Sequence, residues 1–154
     1  MKLEVLTIPN NILKQKSEPI SLEQIKEKKF QEFFDNMIDT MFEDNGIGIA
    51  APQVGKNLRV IVVTRDCKPE VFVNPEITKR SLRKTKGEER CLSVPGLMGI
   101  VERYKSISIK ALDRYGNKVM LDAHDFDSIL FQHEIDHLDG ILFLDRAKKI
   151  EPVK

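Results

Sequence analysis

The sequence predicts an α+β fold: a small single domain in which antiparallel or mixed β-sheets pack around a metal-binding helix near the C-terminus, with one long N-terminal helix. Three observations support this prediction. The first third carries an apolar stripe of helical period, the middle carries β-branched runs of strand length, and the last third carries a helix with two histidines. With 154 residues, 41% hydrophobic and 32% charged, the chain fits one domain over residues 1–154 that buries a core without disulfides.

The first predicted helix spans residues 22–43. Ser21 and Gln24 have the spacing of a capping box, which is typical of a helix start. The apolar residues that follow recur at three- and four-residue intervals and form one broad face: Phe30, Phe33, Phe34, Met37, Ile38, Met41 and Phe42. Asn45 and Gly46 accept positive φ, so we expect the helix to end there.

Small residues dominate the next stretch, residues 46–55, which begins like the Gly-x-Gly-x-x-Ala pattern of a dinucleotide-binding turn. That turn must follow a strand and open a helix, whereas this stretch follows a helix and meets Pro52. Small side chains instead let the backbone approach another element or a ligand closely. Gln53 is the one polar residue here, and its amide suits either of two roles: donation to a developing oxyanion or stabilisation of the loop.

Four segments in the middle of the chain predict strands because they are β-branched or alternate in polarity: residues 58–64, 71–77, 106–112 and 118–123. A turn at residues 66–69 joins the first two, and Pro75 ends or bends the second. A hairpin turn at residues 114–117 joins the last two. The middle of the chain is therefore predicted as antiparallel or mixed β, and residues 147–154 as a short polar tail.

The second predicted helix, residues 126–139, places His133 and His137 four residues apart with Glu134 directly after the first histidine. At about 3.6 residues per turn both imidazoles share one face and can reach one cation, while Glu134 lies about 100° round the axis. In such sites the metal lowers the pKa of a bound water and the glutamate moves its proton. The pattern favours hydrolysis over the alternative of a core helix with hydrogen-bonded histidines.

The ends of this helix are also predicted. Asp125 or Asp127 is expected to cap its first turn, and Gly140 is expected to stop it.

Two histidines leave a catalytic site incomplete, because zinc-type centres usually have three protein ligands. Phe143 stands where a metzincin has its third histidine, and no helical pattern after His137 offers a carboxylate. The candidates upstream are His124, Cys67 and Cys91. His124 fits the surface end of a strand and Cys67 a polar turn. A Cys91 thiolate with two histidines suits zinc or ferrous iron.

Charge and hydropathy exclude several classes of protein. The net charge of +1 argues against sequence-independent or sequence-specific nucleic-acid binding. The basic residues from Lys79 to Lys86 lack interleaved aromatic residues and are interpreted as a solvated face. No apolar run approaches the roughly 20 residues of a membrane span, and the N-terminus lacks a secretory apolar region. Two cysteines form no disulfide framework, so a reducing cytoplasmic location is expected.

Three blocks of the sequence resemble, in order and spacing, the three motifs of the peptide deformylases: residues 46–53, 89–93 and 132–138. The resemblance covers nearly the whole chain. It implies that Cys91, His133 and His137 hold one divalent metal with water as the fourth ligand. The metal implied is Fe²⁺, with Zn²⁺ or Ni²⁺ as substitutes. The implied substrate is the N-formylmethionyl end of a nascent peptide, and the products are formate and a free amine.

The resemblance also implies roles for further residues. Glu134 would take a proton from the attacking water and deliver it to the leaving nitrogen. The Gln53 side chain and the Leu92 backbone N–H would hold the oxyanion, and Glu89 would position the loop behind the metal ligands. An extended peptide would lie beside the small-residue stretch as an added strand. The implied substrate-binding residues are Ile47, Gly48, Arg103, Phe126, Ile129 and Leu130.

Two departures from the family pattern raise alternatives. Arg90 stands where the family usually has glycine. If that position requires positive φ, arginine adds strain of about 1–2 kcal/mol, and its side chain crowds the thiolate or contacts the peptide. The alternative function is therefore a divergent paralogue that binds N-terminal peptides with little or no turnover, and an endopeptidase is a third interpretation. The stretch after Leu144 lacks the long C-terminal helix of some members, so any ribosome association is expected to be transient.

Overall fold

Two antiparallel β-sheets contact one central helix in this computed structural model, which describes residues 1–154. The helices are α1 (Leu22–Ile25), α2 (Lys28–Glu43), α3 (Asp125–Leu138) and α4 (Phe143–Arg146), with 3₁₀ turns at Asn11–Lys14 and Ala51–Val54. The strands are β1 (Gly48–Ala50), β2 (Val60–Arg65), β3 (Lys68–Arg80), β4 (Lys84–Cys91), β5 (Val94–Tyr104), β6 (Ser106–Leu112), β7 (Lys118–His124) and β8 (Lys149–Pro152). The larger sheet has the order β1-β2-β3-β6-β7 and the smaller sheet β4-β5-β8.

The predicted fold class is confirmed, and the larger sheet explains where the core lies. Its two faces are covered by different helices, so strand β2 is buried on both sides. Val60 and Val62 pack on the α2 side, whereas Ile61 and Val63 pack on the α3 side. This alternation follows from the two-residue period of a strand and accounts for the uninterrupted apolar run. A third cluster, under β5 and α4, closes the smaller sheet.

Strands β2, β3, β6 and β7 confirm the four strands predicted from the sequence. β3 continues beyond the expected end to Arg80, and its pairing with β6 shifts register between Val73 and Glu76. The strand therefore bends around Pro75, which has no N–H to donate. The predicted hairpin turn between β6 and β7 is confirmed as well. There the Asp113 carboxylate accepts hydrogen bonds from the backbone N–H groups of Tyr115 and Asn117.

Four strands were not predicted: β1, β4, β5 and β8. The prediction of a polar tail over residues 147–154 is wrong, because Lys149–Pro152 pairs with β5. β4 and β8 are the outer strands of the smaller sheet, and exposed charged residues occupy much of their length. Such strands are held by backbone hydrogen bonds to β5, which leave no apolar alternation in the sequence.

The prediction of one helix over residues 22–43 is wrong, since Lys26 and Glu27 separate α1 from α2. Glu27 has an extended backbone (φ −69°, ψ 138°) and caps α2. The capping box is confirmed: Ser21 Oγ accepts from the Gln24 N–H, and Gln24 Oε1 accepts from the Ser21 N–H. It starts only the short α1, whereas the apolar stripe belongs to α2, because its first member is Phe30.

Helix α3 begins and ends through the backbone. The prediction of an aspartate cap is wrong, because His124 is the N-cap and no side chain caps the helix. Gly140 follows the end of α3 with φ 74°, as predicted. An added Cβ at Gly140 would lie 2.4 Å from the carbonyl oxygen of Lys14, so this glycine also permits a close approach of two backbones. None of the helices has the length and apolar composition needed to span a membrane.

Candidate metal centre

The three predicted ligands meet in space although they come from two elements. Cys91 ends β4, and His133 and His137 lie one turn apart on the buried α3. One ligand atom from each residue lies within 4.8 Å of the other two, and Cys91 Sγ lies 3.3 Å from His137 Nε2. A sulfur and two imidazole nitrogens at this spacing fit one divalent cation of the zinc or ferrous type. No other group of three histidine, cysteine or carboxylate side chains in the chain has ligand atoms this close.

The other upstream candidates lie elsewhere. His124 is exposed and pairs with Ser106, where its Nδ1 lies 3.0 Å from the serine hydroxyl. Cys67 is exposed in the turn between β2 and β3, at φ 63°. Of the three upstream candidates, only Cys91 lies beside His133 and His137.

Glu89 and Arg103 hold one of the predicted ligands, His133, in place. His133 Nδ1 lies 2.8 Å from Glu89 Oε1, an arrangement that leaves Nε2 free for a cation. Arg103 donates two hydrogen bonds to the same carboxylate, at 2.9 and 2.8 Å. Burial alone would raise the pKa of Glu89, but the hydrogen bonds from Arg103 and His133 outweigh it and lower the pKa to about 2. Glu89 is thus a permanent anion that orients the His133 ring.

The prediction that Arg103 faces the substrate is wrong. Its side chain is 3% exposed, and its guanidinium is occupied by the Glu89 and Asp136 carboxylates. Asp136 was not singled out from the sequence, although it lies between the two ligand histidines on α3. It also accepts two hydrogen bonds from Arg146 of α4, at 2.7 and 3.0 Å. A buried arginine needs carboxylate partners. Because Glu89 and Asp136 already pair with the Arg103 guanidinium, it is not available to bind a substrate.

Glu134 is the buried carboxyl that directly follows His133 on α3. Its Oε1 has no hydrogen-bond partner. Burial raises its pKa to about 7, although the charge of His133 opposes the shift. Gly48 of β1 packs directly against this carboxyl, since an added Cβ there would lie 2.4 Å from Glu134 Oε2. A carboxyl with a free oxygen and a pKa near neutrality can both accept and return a proton.

Burial acts in the same direction on both histidines, but their pKa values shift in opposite directions. Burial lowers the pKa of His137 well below its usual value, so its imidazole is neutral and available as a ligand. Burial acts in the same direction on His133, but hydrogen bonds with Cys91 and Glu89 outweigh it and raise the pKa of His133 well above its usual value. Binding of a cation by this set is therefore expected to release a proton.

Gln53 is buried next to the ligands and contacts both sides of the site. Its Oε1 accepts a hydrogen bond from the Ala50 N–H at 2.9 Å, which fixes the turn after β1. Its Nε2 donates to Ser93 Oγ at 3.2 Å and lies 3.5 Å from Cys91 Sγ. The same amide therefore stabilises the loop through its oxygen and presents an N–H group beside the thiol. Leu92 follows Cys91 and lines the adjoining cavity.

A cavity of about 440 Å³ opens beside the three ligands. The substrate-binding residues implied by the resemblance, apart from Arg103, all line it: Ile47, Gly48, Phe126, Ile129 and Leu130. It lies between β1 and β4, each of which is an outermost strand of its own sheet. Each strand therefore offers an unpaired edge, where an extended peptide can add as a further strand.

Arg90 has no strained backbone. It does not belong to the residues with positive φ, so the strain considered from the sequence is absent. The pairing of β4 with β5 shifts register between Glu89 and Cys91, which places Arg90 at an irregular position of the ladder. Its side chain is exposed and lines the cavity.

Comparisons with known proteins agree with this geometry. A family model described as polypeptide deformylase matches residues 2–153. This chain belongs to the peptide deformylase family. It is 43% identical to peptide deformylase 3 of Shewanella oneidensis, a match that covers 97% of this chain and 91% of that protein. It is 42% identical to the peptide deformylase of Symbiobacterium thermophilum, covering 98% of this chain and 69% of that protein.

Solved peptide deformylases share the fold. The class I type b peptide deformylase of Acinetobacter baumannii bound to Met-Ala-Ser superposes with a TM-score of 0.92 at 38% identity, covering 95% and 98% of the two chains. The same enzyme bound to actinonin gives 0.91 at 40% identity, covering 96% and 99%. The peptide deformylase of Thermotoga maritima gives 0.92 at 30% identity, covering 97% and 99%. The alternative of a paralogue without turnover gains no support from these relatives or from the backbone of Arg90.

Proposed function

We propose that this chain is a peptide deformylase that removes the N-formyl group from the initiator methionine of nascent polypeptides and releases formate. The observation that carries the proposal is Glu134, a buried carboxyl with one free oxygen beside three converging metal-ligand atoms. Family membership supports the same reaction, and a relative with bound Met-Ala-Ser supports a peptide as the substrate.

The metal proposed for Cys91, His133 and His137 is one divalent cation, Fe²⁺ in the cell and Zn²⁺ or Ni²⁺ as substitutes. The cation would supply polarisation of the formyl carbonyl and a lowered pKa of water. The chain supplies proton transfer. Glu134 accepts the proton of the attacking water at its free Oε1 and returns it to the leaving nitrogen. Burial supports this role, because it raises the pKa of the carboxyl and so favours its protonated form.

Oxyanion binding is proposed for Gln53 and Leu92. The Gln53 amide is held by the Ala50 N–H at its oxygen, so its Nε2 keeps a fixed position beside Cys91. The Leu92 backbone N–H would be the second donor. Fixed donors of this kind stabilise charge that develops in the transition state without reorganisation.

The peptide is proposed to bind in extended form between β1 and β4. The methionine side chain would lie against the apolar lining residues Ile47, Phe126, Ile129 and Leu130, with Gly48 leaving space for the backbone. The biological partners would be formylmethionyl nascent chains in the cytoplasm, with transient ribosome association. We propose that residues 1–154 act as one catalytic domain.

The experiment is a formate-release assay on protein purified without oxygen. Metal-free protein is loaded separately with Fe²⁺, Zn²⁺ and Ni²⁺ and mixed with formyl-Met-Ala-Ser, with acetyl-Met-Ala-Ser as the control substrate. We expect formate only with metal and only from the formylated peptide, with the highest rate for Fe²⁺. Absence of formate with all three metals would overturn the proposal. Cleavage of an internal bond in unformylated Met-Ala-Ser peptides would instead indicate an endopeptidase.

A further inference from the structure

Arg90 is the only lysine or arginine among the residues that line the cavity. Its side chain is exposed, and none of the ion pairs or side-chain hydrogen bonds of the chain includes it. Most other arginines are paired with carboxylates: Arg59, Arg65, Arg103, Arg114 and Arg146. Arg90 therefore presents an uncompensated positive charge at the rim of the site.

Glu88 is the one other exposed charged residue that lines the cavity. It lies two residues before Arg90 on β4, and both side chains are exposed. No ion pair joins them, so neither charge is neutralised by the other through direct contact. The remaining carboxylates of the cavity, Glu89 and Glu134, are buried. The rim thus carries one free cation and one free anion.

The charges on the substrate determine whether Arg90 or Glu88 can affect its binding. A formylated N-terminus is neutral, so the first charges on a nascent peptide are those of the side chains that follow methionine. In an added strand, residues advance by about 3.3 Å each along the edge of β4. The residues directly after methionine would therefore pass Arg90 and Glu88, where charge complementarity acts on association and selectivity.

We propose that Arg90 is a specificity-determining residue, which favours formylated peptides with an acidic side chain at the second or third position, and that Glu88 opposes it. This inference rests on the proposed function. A solvent-exposed charge pair changes the free energy of interaction by a fraction of a kcal/mol to about 1 kcal/mol, so the expected preference is about two- to fivefold in kcat/KM.

The test compares kcat/KM for formate release from four peptides with amidated C-termini, which removes the terminal carboxylate as a second source of charge. The peptides are formyl-Met-Ala-Ser, formyl-Met-Asp-Ser, formyl-Met-Ala-Asp and formyl-Met-Lys-Ser. The proteins are the wild type, Arg90→Gln, Arg90→Lys, Glu88→Gln and Lys86→Gln. Lys86 is the matched control, because it is an exposed cation of the same strand that does not line the cavity.

We expect the wild type to prefer at least one acidic peptide over formyl-Met-Ala-Ser, and Arg90→Gln to abolish or reverse that preference. Arg90→Lys should retain most of it, Glu88→Gln should increase it, and Lys86→Gln should leave it unchanged. The preference should also weaken between low and high salt, because exposed charges are screened over about 10 Å at 0.1 M.

The inference is overturned if the wild type and Arg90→Gln have the same ratio between acidic and neutral peptides, or if Lys86→Gln changes that ratio as much as Arg90→Gln does. Both outcomes leave formate release from formyl-Met-Ala-Ser intact, so they do not touch the proposed function. Absence of formate from every peptide would overturn the proposed function, and this inference with it.

Discussion

Helix α3 has two rows of buried polar side chains that differ in how completely they are hydrogen-bonded. Gln132 and Asp136 form the network row. Gln132 binds Tyr104 and Ser128 through both ends of its amide, and Asp136 accepts from Arg103 and Arg146. Glu134 and His137 form the second row together with His133; we call it the cavity row because His133 and Glu134 line the cavity. There Glu134 Oε1 and His137 Nδ1 have no partner at all.

This difference indicates which side of α3 has polar groups available for a reaction. Buried polar groups are almost always hydrogen-bonded, because an unmet donor or acceptor costs about 1–3 kcal/mol. The network row follows that rule and holds the helix in place. The cavity row breaks it at Glu134, where a free carboxylate oxygen can take a proton. The helix therefore carries a fully hydrogen-bonded row on one side and, on another, the row that we propose takes part in the reaction.

The largest expected effect is a loss of kcat when Glu134, in the cavity row, is replaced by a residue that cannot act as a base. Glu134→Gln keeps the size of the side chain but cannot accept a proton, so kcat should fall by about 10²- to 10⁴-fold. Metal content and thermal stability should stay at wild-type values, since no hydrogen bond to Oε1 is lost. The assay is formate release with metal analysis of the same sample. Activity within tenfold of the wild type would contradict the role assigned to Glu134.

The network row should respond in stability instead. Asp136→Asn leaves the buried Arg103 with one fewer anion, and breaking such a pair costs about 3 kcal/mol or more in the free energy of unfolding. This loss in the free energy of unfolding is measured by denaturant unfolding of the metal-free protein. Asp139→Asn is the matched control, because its pair with Arg59 is partly exposed and should contribute less than about 1 kcal/mol. Equal losses for the two variants would contradict the stabilising role assigned to the network row.

A smaller effect should follow when the cavity row is disturbed from outside the helix. The Cβ of Gly48→Ala would lie 2.4 Å from Glu134 Oε2, so the carboxyl must move. Misplacement of a reacting group by about 1 Å can cost up to 10²-fold in rate, and we expect at least a tenfold loss of kcat. Gly87→Ala is the control, because an added Cβ there meets no atom within 4 Å. In the formate-release assay we expect Gly48→Ala to be slower than Gly87→Ala. Equal rates for the two variants would contradict this prediction.

The smallest expected effect is on stability and concerns Asp113, a carboxylate outside the site that accepts several hydrogen bonds. Burial acts to raise the pKa of Asp113, but backbone hydrogen bonds from Asn117 and Tyr115 outweigh it, so the pKa is lowered. The resulting stabilisation is present above the ordinary aspartate pKa and is lost as the pH falls through the lowered value. As the pH falls from 5 to 2, Asp113→Asn should therefore lose less stability than the wild type. The difference should be below about 1 kcal/mol, because solvent screens this group. Unfolding curves across that range measure the difference, and parallel curves would contradict it.

The sequence predicted the cavity row better than the network row. The spacing of His133, Glu134 and His137 is a local pattern, and the resemblance supplied Cys91, so the site could be described before the fold. The network row depends on Arg103 meeting Asp136, which is 33 residues further along the chain. No local period encodes such a contact, and the resemblance implied instead that Arg103 faces the substrate.

The same distinction explains the errors in secondary structure. The apolar stripe of α2 and the alternation of β6 are written in consecutive residues, and both elements were predicted. β8 and β4 are polar outer strands whose order comes from backbone bonds to β5, and both were missed. The break at Lys26 and Glu27 was missed because a capping box and an apolar stripe lie close together and belong to two different helices.

The most direct test of the cavity row as a metal-dependent reaction centre is a titration of metal-free protein with Fe²⁺ in the absence of oxygen. Formate release from formyl-Met-Ala-Ser is measured after each addition. The three converging ligands predict a rate that rises in proportion to added metal and becomes constant at one ion per chain. Full activity without metal, or a rate that keeps rising to two ions per chain, would contradict this account.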